Sequence, residues 1–138
     1  LAERTLIYDI VEQMGDPEEA LAHYTTDLDL SWLSEPYPQA VRQTLLISAD
    51  RDLIAEEIPA LRDRFGAVAG DWESGAIAHI ATKNGVRCLI LRGVTDLVGP
   101  QGGEAYDGTL SLFSERTARV MTQLLEALPG WLSSASTL

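Results

Sequence analysis

Cysteine and basic residues are scarce in this chain, and each scarcity excludes a class of protein. Cys88 is the only cysteine, so an internal disulfide is excluded and a metal site built from cysteines is not expected. Ten basic residues stand against 21 acidic ones, giving a net charge of −11. Such a charge disfavours binding to nucleic-acid phosphates and to anionic membranes. We therefore expect neither nucleic acid nor a membrane as a partner.

Long apolar runs are also missing. The best run, residues 86–91, has the length of a strand and is too short to cross a bilayer. The sequence does not open with a basic segment followed by an apolar one, so no secretory signal is visible. Cys88 lies inside the same run, where it is better interpreted as a small core residue than as a reactive thiol. These features fit a cytoplasmic protein.

What the sequence does contain is an alternation of strand-like and helix-like segments in one domain, residues 1–138. It is 46% hydrophobic and 22% charged, which is typical of a globular domain with a real core. The predicted strands are 5–10, 43–48, 66–70 and 86–92, and the predicted helices are 53–65, 73–84 and 109–128. A short helix capped by Asp16 is an option within the irregular stretch 14–38, and residues 93–108 form a glycine-rich loop. This order predicts an α/β layer structure with a largely parallel sheet.

Two of the predicted helices carry specific expectations. Helix 73–84 should end at Gly85 and bury one stripe, formed by Ala76, Ile77, Ile80 and Ala81. Helix 109–128 should be stopped by Pro129 and Gly130, and its inward residues are Leu112, Val120, Leu124 and Leu128.

Three acidic residues, Asp50, Glu73 and Asp96, each follow a predicted strand. In open α/β sheets the carboxyl ends of the strands form the ligand crevice, so this pattern predicts a site for a ligand rich in hydroxyl or amine donors. Each acid also has a purely structural interpretation. Asp50 would cap helix 53–65, Glu73 would favour the positive end of its helix, and Asp96 would brace the following loop.

Two motifs, GDWESGAIA at 70–78 and LRGVTDLV at 91–98, resemble the purine nucleoside phosphorylase and uridine phosphorylase superfamily. The branch they resemble most is the methylthioadenosine/S-adenosylhomocysteine nucleosidases, and LISAD at 46–50 is similar to a strand end of that branch. The resemblance implies a three-layer sandwich with a mixed, largely parallel sheet flanked by helices. The family's N-terminal half has no counterpart here, so residues 1–138 are expected to be the C-terminal part of a larger domain.

The resemblance also implies roles for single residues. Glu73 would accept hydrogen bonds from the ribose 2′- and 3′-hydroxyls. Asp96 would be the catalytic residue, a general acid that protonates N7 of the purine so that the base can leave. Thr95 would contact the same region of the substrate.

Four further residues complete the expected site. Trp72 takes the position of a methionine under the ribose, and Leu53 would supply apolar contact because Asp52 occupies the place of a purine-stacking phenylalanine. Arg92 would orient the acidic loop from behind, and Asp50 would support the site in the same way. The resemblance implies no cofactor and a homodimer.

Three functions remain open at this point. The resemblance favours hydrolysis of a nucleoside similar to methylthioadenosine or S-adenosylhomocysteine. The alternatives are phosphorolysis by a purine nucleoside phosphorylase and a non-catalytic relative that binds nucleosides or is purely structural. A metal site is not expected, because His79 lies six residues after Glu73 on another helical face and is better interpreted as a partly buried helix residue.

Overall fold

The computed structural model describes residues 1–106 and 110–135, and its centre is a four-stranded sheet with the order β2-β1-β3-β4. The strands are β1 (Ala2–Ile7), β2 (Thr25–Asp27), β3 (Thr44–Ser48) and β4 (Gly70–Asp71). Strands β1, β3 and β4 are parallel, whereas β2 runs antiparallel to β1. The expected mixed, largely parallel sheet is confirmed.

Helices cover both faces of this sheet. They are α1 (Pro17–His23) and α2 (Ile58–Phe65) on one face and α3 (Ser74–Lys83) on the other. A fourth helix, α4 (Ser111–Ser134), packs through Trp131 against Leu1 and Leu33. Because neighbouring residues of a strand point to opposite faces, Leu46 and Ile47 of β3 enter different apolar clusters. Leu46 packs with Ala78 of α3, and Ile47 packs with Leu61 of α2. The sheet therefore lies between two helical layers, as expected.

The stretch 14–38 is more regular than the sequence indicates. Asp16 caps α1, because its Oδ1 accepts a hydrogen bond from the Glu18 amide at 2.8 Å. Strand β2, which the sequence did not predict, follows directly after α1. Its three residues are too few to show a period of two, and only the pairing with β1 defines them as a strand.

The helix predicted for residues 53–65 begins later than expected. A 3₁₀ turn, Ala55–Glu57, precedes α2, and Pro59 lies in the first turn of α2, where its missing N–H is tolerated. The structural interpretation of Asp50 is wrong, because no side chain caps either element. The Asp50 amide instead donates to Asp9 Oδ2 at 3.0 Å.

Helix α3 ends as predicted, with Gly85 at φ 63°, but its buried stripe is a different one. The buried residues are Ser74, Gly75 and Ala78, whereas Ile77 and Ile80 are more than half exposed. A Cβ on Gly75 would lie 2.6 Å from Ile7 Cγ1, so the helix backbone lies directly against the sheet. Small residues make this contact possible, and the larger apolar residues consequently face outward.

The strand predicted for residues 86–92 is not present. Its backbone makes one hydrogen bond to the sheet, from the Ala2 amide to the Ile90 carbonyl at 3.0 Å. From Arg4 onward β1 is paired with β2 on one side and with β3 on the other, so it offers no free edge. The apolar pattern predicted the burial of Ile90 correctly but not its pairing. Within the predicted loop 93–108, Val98–Gly99 (β5) and Gly102–Gly103 (β6) form a small hairpin.

Helix α4 continues past the predicted stop at Pro129 and Gly130. Trp131 is only 1% exposed, packs with Leu1 and Leu33, and donates from Nε1 to Gln39 Oε1 at 3.1 Å. Burial of this large side chain explains why the helix tolerates an internal proline. The predicted start at Thr109 lies outside the described residues. Among the residues that are described, no helix has both the length and the apolar character needed to cross a membrane.

Candidate active site

The carboxyl ends of the three parallel strands meet at one edge of the sheet, and acidic residues follow each of them. β1 is followed by Asp9 and β3 by Asp50, and these two residues are in contact. β4 ends in Asp71, and Glu73 comes two residues later. The structure therefore places two of the three predicted acids, Asp50 and Glu73, at this edge.

A buried hydrogen-bond network ties β3, β4 and α3 together there. The Ser48 hydroxyl donates to Asp71 Oδ1 at 2.7 Å and accepts from the Gly75 amide at 2.8 Å. Asp71 also accepts from the Ser74 amide at 3.1 Å and from the Ser74 hydroxyl. Asp71 thus supplies a hydrogen-bond acceptor for the first amide of α3, although it lies three residues before Ser74.

Arg92 joins this network to Glu73. Its Nε lies 2.7 Å from Asp71 Oδ2 and 3.0 Å from Ser74 Oγ, and its Nη2 donates to Glu73 Oε2 at 3.0 Å. The structure therefore brings Arg92 and Glu73 into direct contact. Glu73 precedes α3 without capping it through its side chain, so its carboxylate is oriented by Arg92 rather than by the helix.

Thr95 and Asp96 form a second pair. The Thr95 hydroxyl donates to Asp96 Oδ1 at 2.8 Å, and both residues are half-buried. Arg116 of α4 lies against them, because its Nη1 donates to the Thr95 carbonyl at 3.3 Å. Arg116 also pairs with Glu104, and this hydrogen bond raises the pKa of Arg116 and lowers that of Glu104. A permanent positive charge therefore borders the Thr95–Asp96 pair.

The remaining predicted residues lie apart from these contacts. Trp72 is largely exposed beside Glu73 in the sequence. Leu53 is half-buried and packs in the cluster of Ile47, with its Cδ2 3.3 Å from the position of a Cβ on Gly70. Asp50 contacts Asp9 and not Arg92, so its predicted support of the acidic loop is not seen as a hydrogen bond.

Four residues of these networks were missed by the sequence interpretation, namely Ser48, Asp71, Glu104 and Arg116. Asp71 lies inside the 70–78 motif, and its position directly after a strand was a usable signal. Ser48 is its neighbour only because β3 and β4 pair in the register Ser48 with Asp71. Arg116 lies twenty positions after Asp96 on a helix, where no local pattern indicates the contact.

An open cleft of about 370 Å³ borders the site. Residues 92–94 form one wall, and α4 forms the opposite wall with Arg119, Val120, Gln123 and Leu124. Arg92 therefore belongs both to the cleft and to the network around Asp71.

The described part of the chain contains no group of three or more histidine, cysteine, aspartate or glutamate side chains arranged to hold a metal. His79 is half-buried, with its ring 5.3 Å from that of His23 and 5.2 Å from that of Tyr24. Desolvation lowers the pKa of His79, and the positive charges of Lys83 and His23 lower it further. The arrangement is typical of packing between α1 and α3.

A mixed, mostly parallel sheet between helices, with acidic residues at the carboxyl ends of its strands, is typical of a nucleoside phosphorylase-like α/β fold. A sequence model described as the phosphorylase superfamily matches residues 34–128. The chain belongs to this superfamily, and the resemblance stated from its motifs is confirmed.

Solved structures of nucleosidases share this fold. One is the 5′-methylthioadenosine/S-adenosylhomocysteine nucleosidase from Helicobacter pylori with butyl-thio-DADMe-Immucillin-A, at 19% identity and a TM-score of 0.62. Another is a variant of the Helicobacter pylori enzyme, with one aspartate replaced by asparagine and 5′-methylthioadenosine in the active site, at 18% identity and a TM-score of 0.63. Both alignments cover 91% of this chain but only 58% of the neighbour, so the chain spans little more than half their length. A comparison with curated proteins gave no match.

Proposed function

We propose that the protein containing this chain cleaves the N-glycosidic bond of purine nucleosides, by hydrolysis of substrates similar to methylthioadenosine or S-adenosylhomocysteine. The observation that carries the proposal is the carboxylate of Glu73, fixed on one oxygen by Arg92 at the carboxyl edge of the sheet. The names of the solved neighbours support the substrate class.

Glu73 has the geometry of a residue that binds the hydroxyls of a sugar. Oε2 is occupied by Arg92, whereas Oε1 has no hydrogen bond to any residue between 1 and 106 or between 110 and 135. The side chain is 58% exposed, so a ligand can reach the free oxygen. An ionised carboxylate makes charge-assisted hydrogen bonds, and vicinal ribose hydroxyls are a matching pair of donors.

Asp96 is the proposed general acid. The C1′–N9 bond breaks with its electron pair moving to the purine, and Asp96 transfers a proton to N7 so that the base leaves neutral. Water then forms the new bond to C1′, and its released proton restores the acid. Thr95 holds Oδ1, which leaves Oδ2 as the oxygen for the purine.

We also propose that residues 1–138 are the C-terminal part of a larger nucleoside phosphorylase-like domain that acts as a homodimer in the cytoplasm. The support is that the solved neighbours extend well beyond the matched region. Large apolar side chains also remain exposed, including Trp72, Ile80, Val94 and Leu97, and these need a covering surface.

A non-catalytic nucleoside-binding relative is the second candidate. Asp52, at the position expected to stack on the purine, is exposed and charged. A carboxylate at this position weakens the contact with the purine base. This favours the interpretation that the chain has retained its fold but lost its catalytic activity.

The test is product analysis on the full-length protein incubated with methylthioadenosine. We expect adenine and methylthioribose in equal amounts, with and without phosphate in the buffer. Methylthioribose 1-phosphate formed only with phosphate would replace hydrolysis by phosphorolysis. Binding without adenine would support the second candidate, and the absence of both binding and release would contradict the proposal.

A further inference from the structure

We propose that Asp71 is a positioning residue that acts through Arg92 on Glu73, and that it sets the preference of the site for ribonucleosides over 2′-deoxynucleosides. The inference rests on the proposed function, because it concerns how the sugar carboxylate is held. Asp71 itself does not contact the substrate in this account.

Asp71 is itself held by several hydrogen-bond donors. Its side chain is only 13% exposed, and its two oxygens accept from Ser48, from the Ser74 amide and hydroxyl, and from Arg92. Its donors belong to β3, to α3 and to the segment after residue 86. Because so many fixed donors surround it, its carboxylate has one orientation.

The Arg92 guanidinium binds a buried carboxylate, that of Asp71, on one side and an exposed carboxylate, that of Glu73, on the other. Arg92 is 42% exposed and Glu73 is 58% exposed, and an isolated ion pair at such a surface contributes little and does not hold two long side chains still. The bond from Nε to the buried Asp71 carboxylate fixes the guanidinium plane. Since this plane is rigid, fixing Nε also fixes Nη2 and therefore Glu73 Oε2.

The fixed position of Arg92 determines how the sugar of the substrate is bound. With Arg92 fixed, Glu73 Oε1 has a defined position, and it can accept from two neighbouring hydroxyls at once. When Arg92 is released, that geometry is lost, and the ligand with two hydroxyls loses more than the ligand with one. A hydrogen bond to a charged group that is lost in this way is worth about tenfold to a hundredfold in affinity.

The experiment measures binding to the full-length protein in an Asp96→Asn background, so that no turnover interferes. The probes are methylthioadenosine and its 2′-deoxy counterpart. We expect Asp71→Asn to weaken binding of the ribonucleoside about tenfold to a hundredfold and binding of the deoxynucleoside only a fewfold. Asp63→Asn is the matched control, because Asp63 is an exposed residue of α2, and it should change neither affinity.

A double-mutant cycle separates positioning from a general loss of stability. If Asp71 acts through Glu73, Asp71→Asn will add nothing once Glu73→Gln is present. Arg92→Lys breaks the same bridge while leaving Asp71 and its hydrogen bonds to α3 in place. It should reproduce the loss of ribose preference, and it keeps the test decisive if Asp71→Asn does not fold.

Two negative results have different meanings. If the parent protein binds neither nucleoside, the proposed function is overturned together with this inference. A second result would overturn this inference alone. In that case the parent prefers the ribonucleoside and Glu73→Gln removes the preference, but neither Asp71→Asn nor Arg92→Lys removes it. Equal losses for both nucleosides in these variants would also overturn it.

Discussion

At the carboxyl edge of the sheet, one carboxylate connects residues that are far apart in the sequence. The Asp71 carboxylate accepts hydrogen bonds from Ser48 of β3 and Ser74 of α3, and it pairs with Arg92 from the segment after residue 86. The hydroxyl of Ser48 is buried within this arrangement, where it donates to Asp71 and accepts from the Gly75 amide. Buried contacts at the edge of the sheet therefore fix the more exposed side chains of the site.

Ser48→Ala should destabilise the protein by about 1–3 kcal/mol, because it leaves the Gly75 amide buried without its acceptor. Urea unfolding monitored by circular dichroism measures the change. Ser114→Ala, at an exposed position of α4, is the control and should change the free energy of unfolding by less than about 0.5 kcal/mol. Equal stability of the two variants would contradict the importance of the network.

The lowered pKa of His79 predicts a pH-dependent stability. Desolvation is the main cause, with Lys83 and His23 adding repulsion, so the folded protein binds the His79 proton less well than the unfolded chain. The contribution is fully present above the unfolded pKa of about 6.5 and is lost as the pH falls from there through the lower folded value. Urea midpoints between about pH 7.5 and pH 5 should fall less in His79→Gln than in the wild type.

At the scale of elements, α3 shows why hydrophobic periodicity identified a helix but not its buried face. The apolar stripe through Ile77 and Ile80 gave a clear helical period, yet the sheet contacts Gly75 and Ala78. Close approach of two backbones selects small residues, which hydrophobic scales score weakly. The prediction of a strand at 86–92 was wrong for a related reason. An apolar run predicts that a segment is buried, whereas pairing also requires a free edge, and β1 is already paired on both sides from Arg4 onward.

Gly75→Ala tests the close approach of α3 to the sheet. Alanine has the higher helix propensity, by about 1 kcal/mol, yet its Cβ would meet Ile7 at 2.6 Å and Ser48 at 3.1 Å. We expect a net loss of about 1–3 kcal/mol from this overpacking, measured by urea unfolding. Gly99→Ala is the matched control, since no atom lies within 4 Å of its added Cβ. A stabilised Gly75→Ala variant would contradict the packing described.

At the scale of the molecule, the sequence predicted the α/β architecture, a largely parallel sheet and the superfamily. The alternation of strand-like and helix-like segments indicated the architecture, and two short motifs, 70–78 and 91–98, indicated the superfamily. Arg92 contacts Glu73 and Thr95 contacts Asp96, and the roles that the motifs suggest for these four residues stay predictions. The sequence could not indicate Ser48 or Arg116, because their contacts depend on strand register and on the docking of α4.

The central claim is tested most directly by the release of adenine from methylthioadenosine by the full-length protein and by its Asp96→Asn variant. A general acid contributes about a hundredfold to ten-thousandfold, so we expect the variant to lose at least a hundredfold in rate. It should keep its affinity for the nucleoside and its thermal midpoint. Adenine release at the wild-type rate by Asp96→Asn would contradict the account.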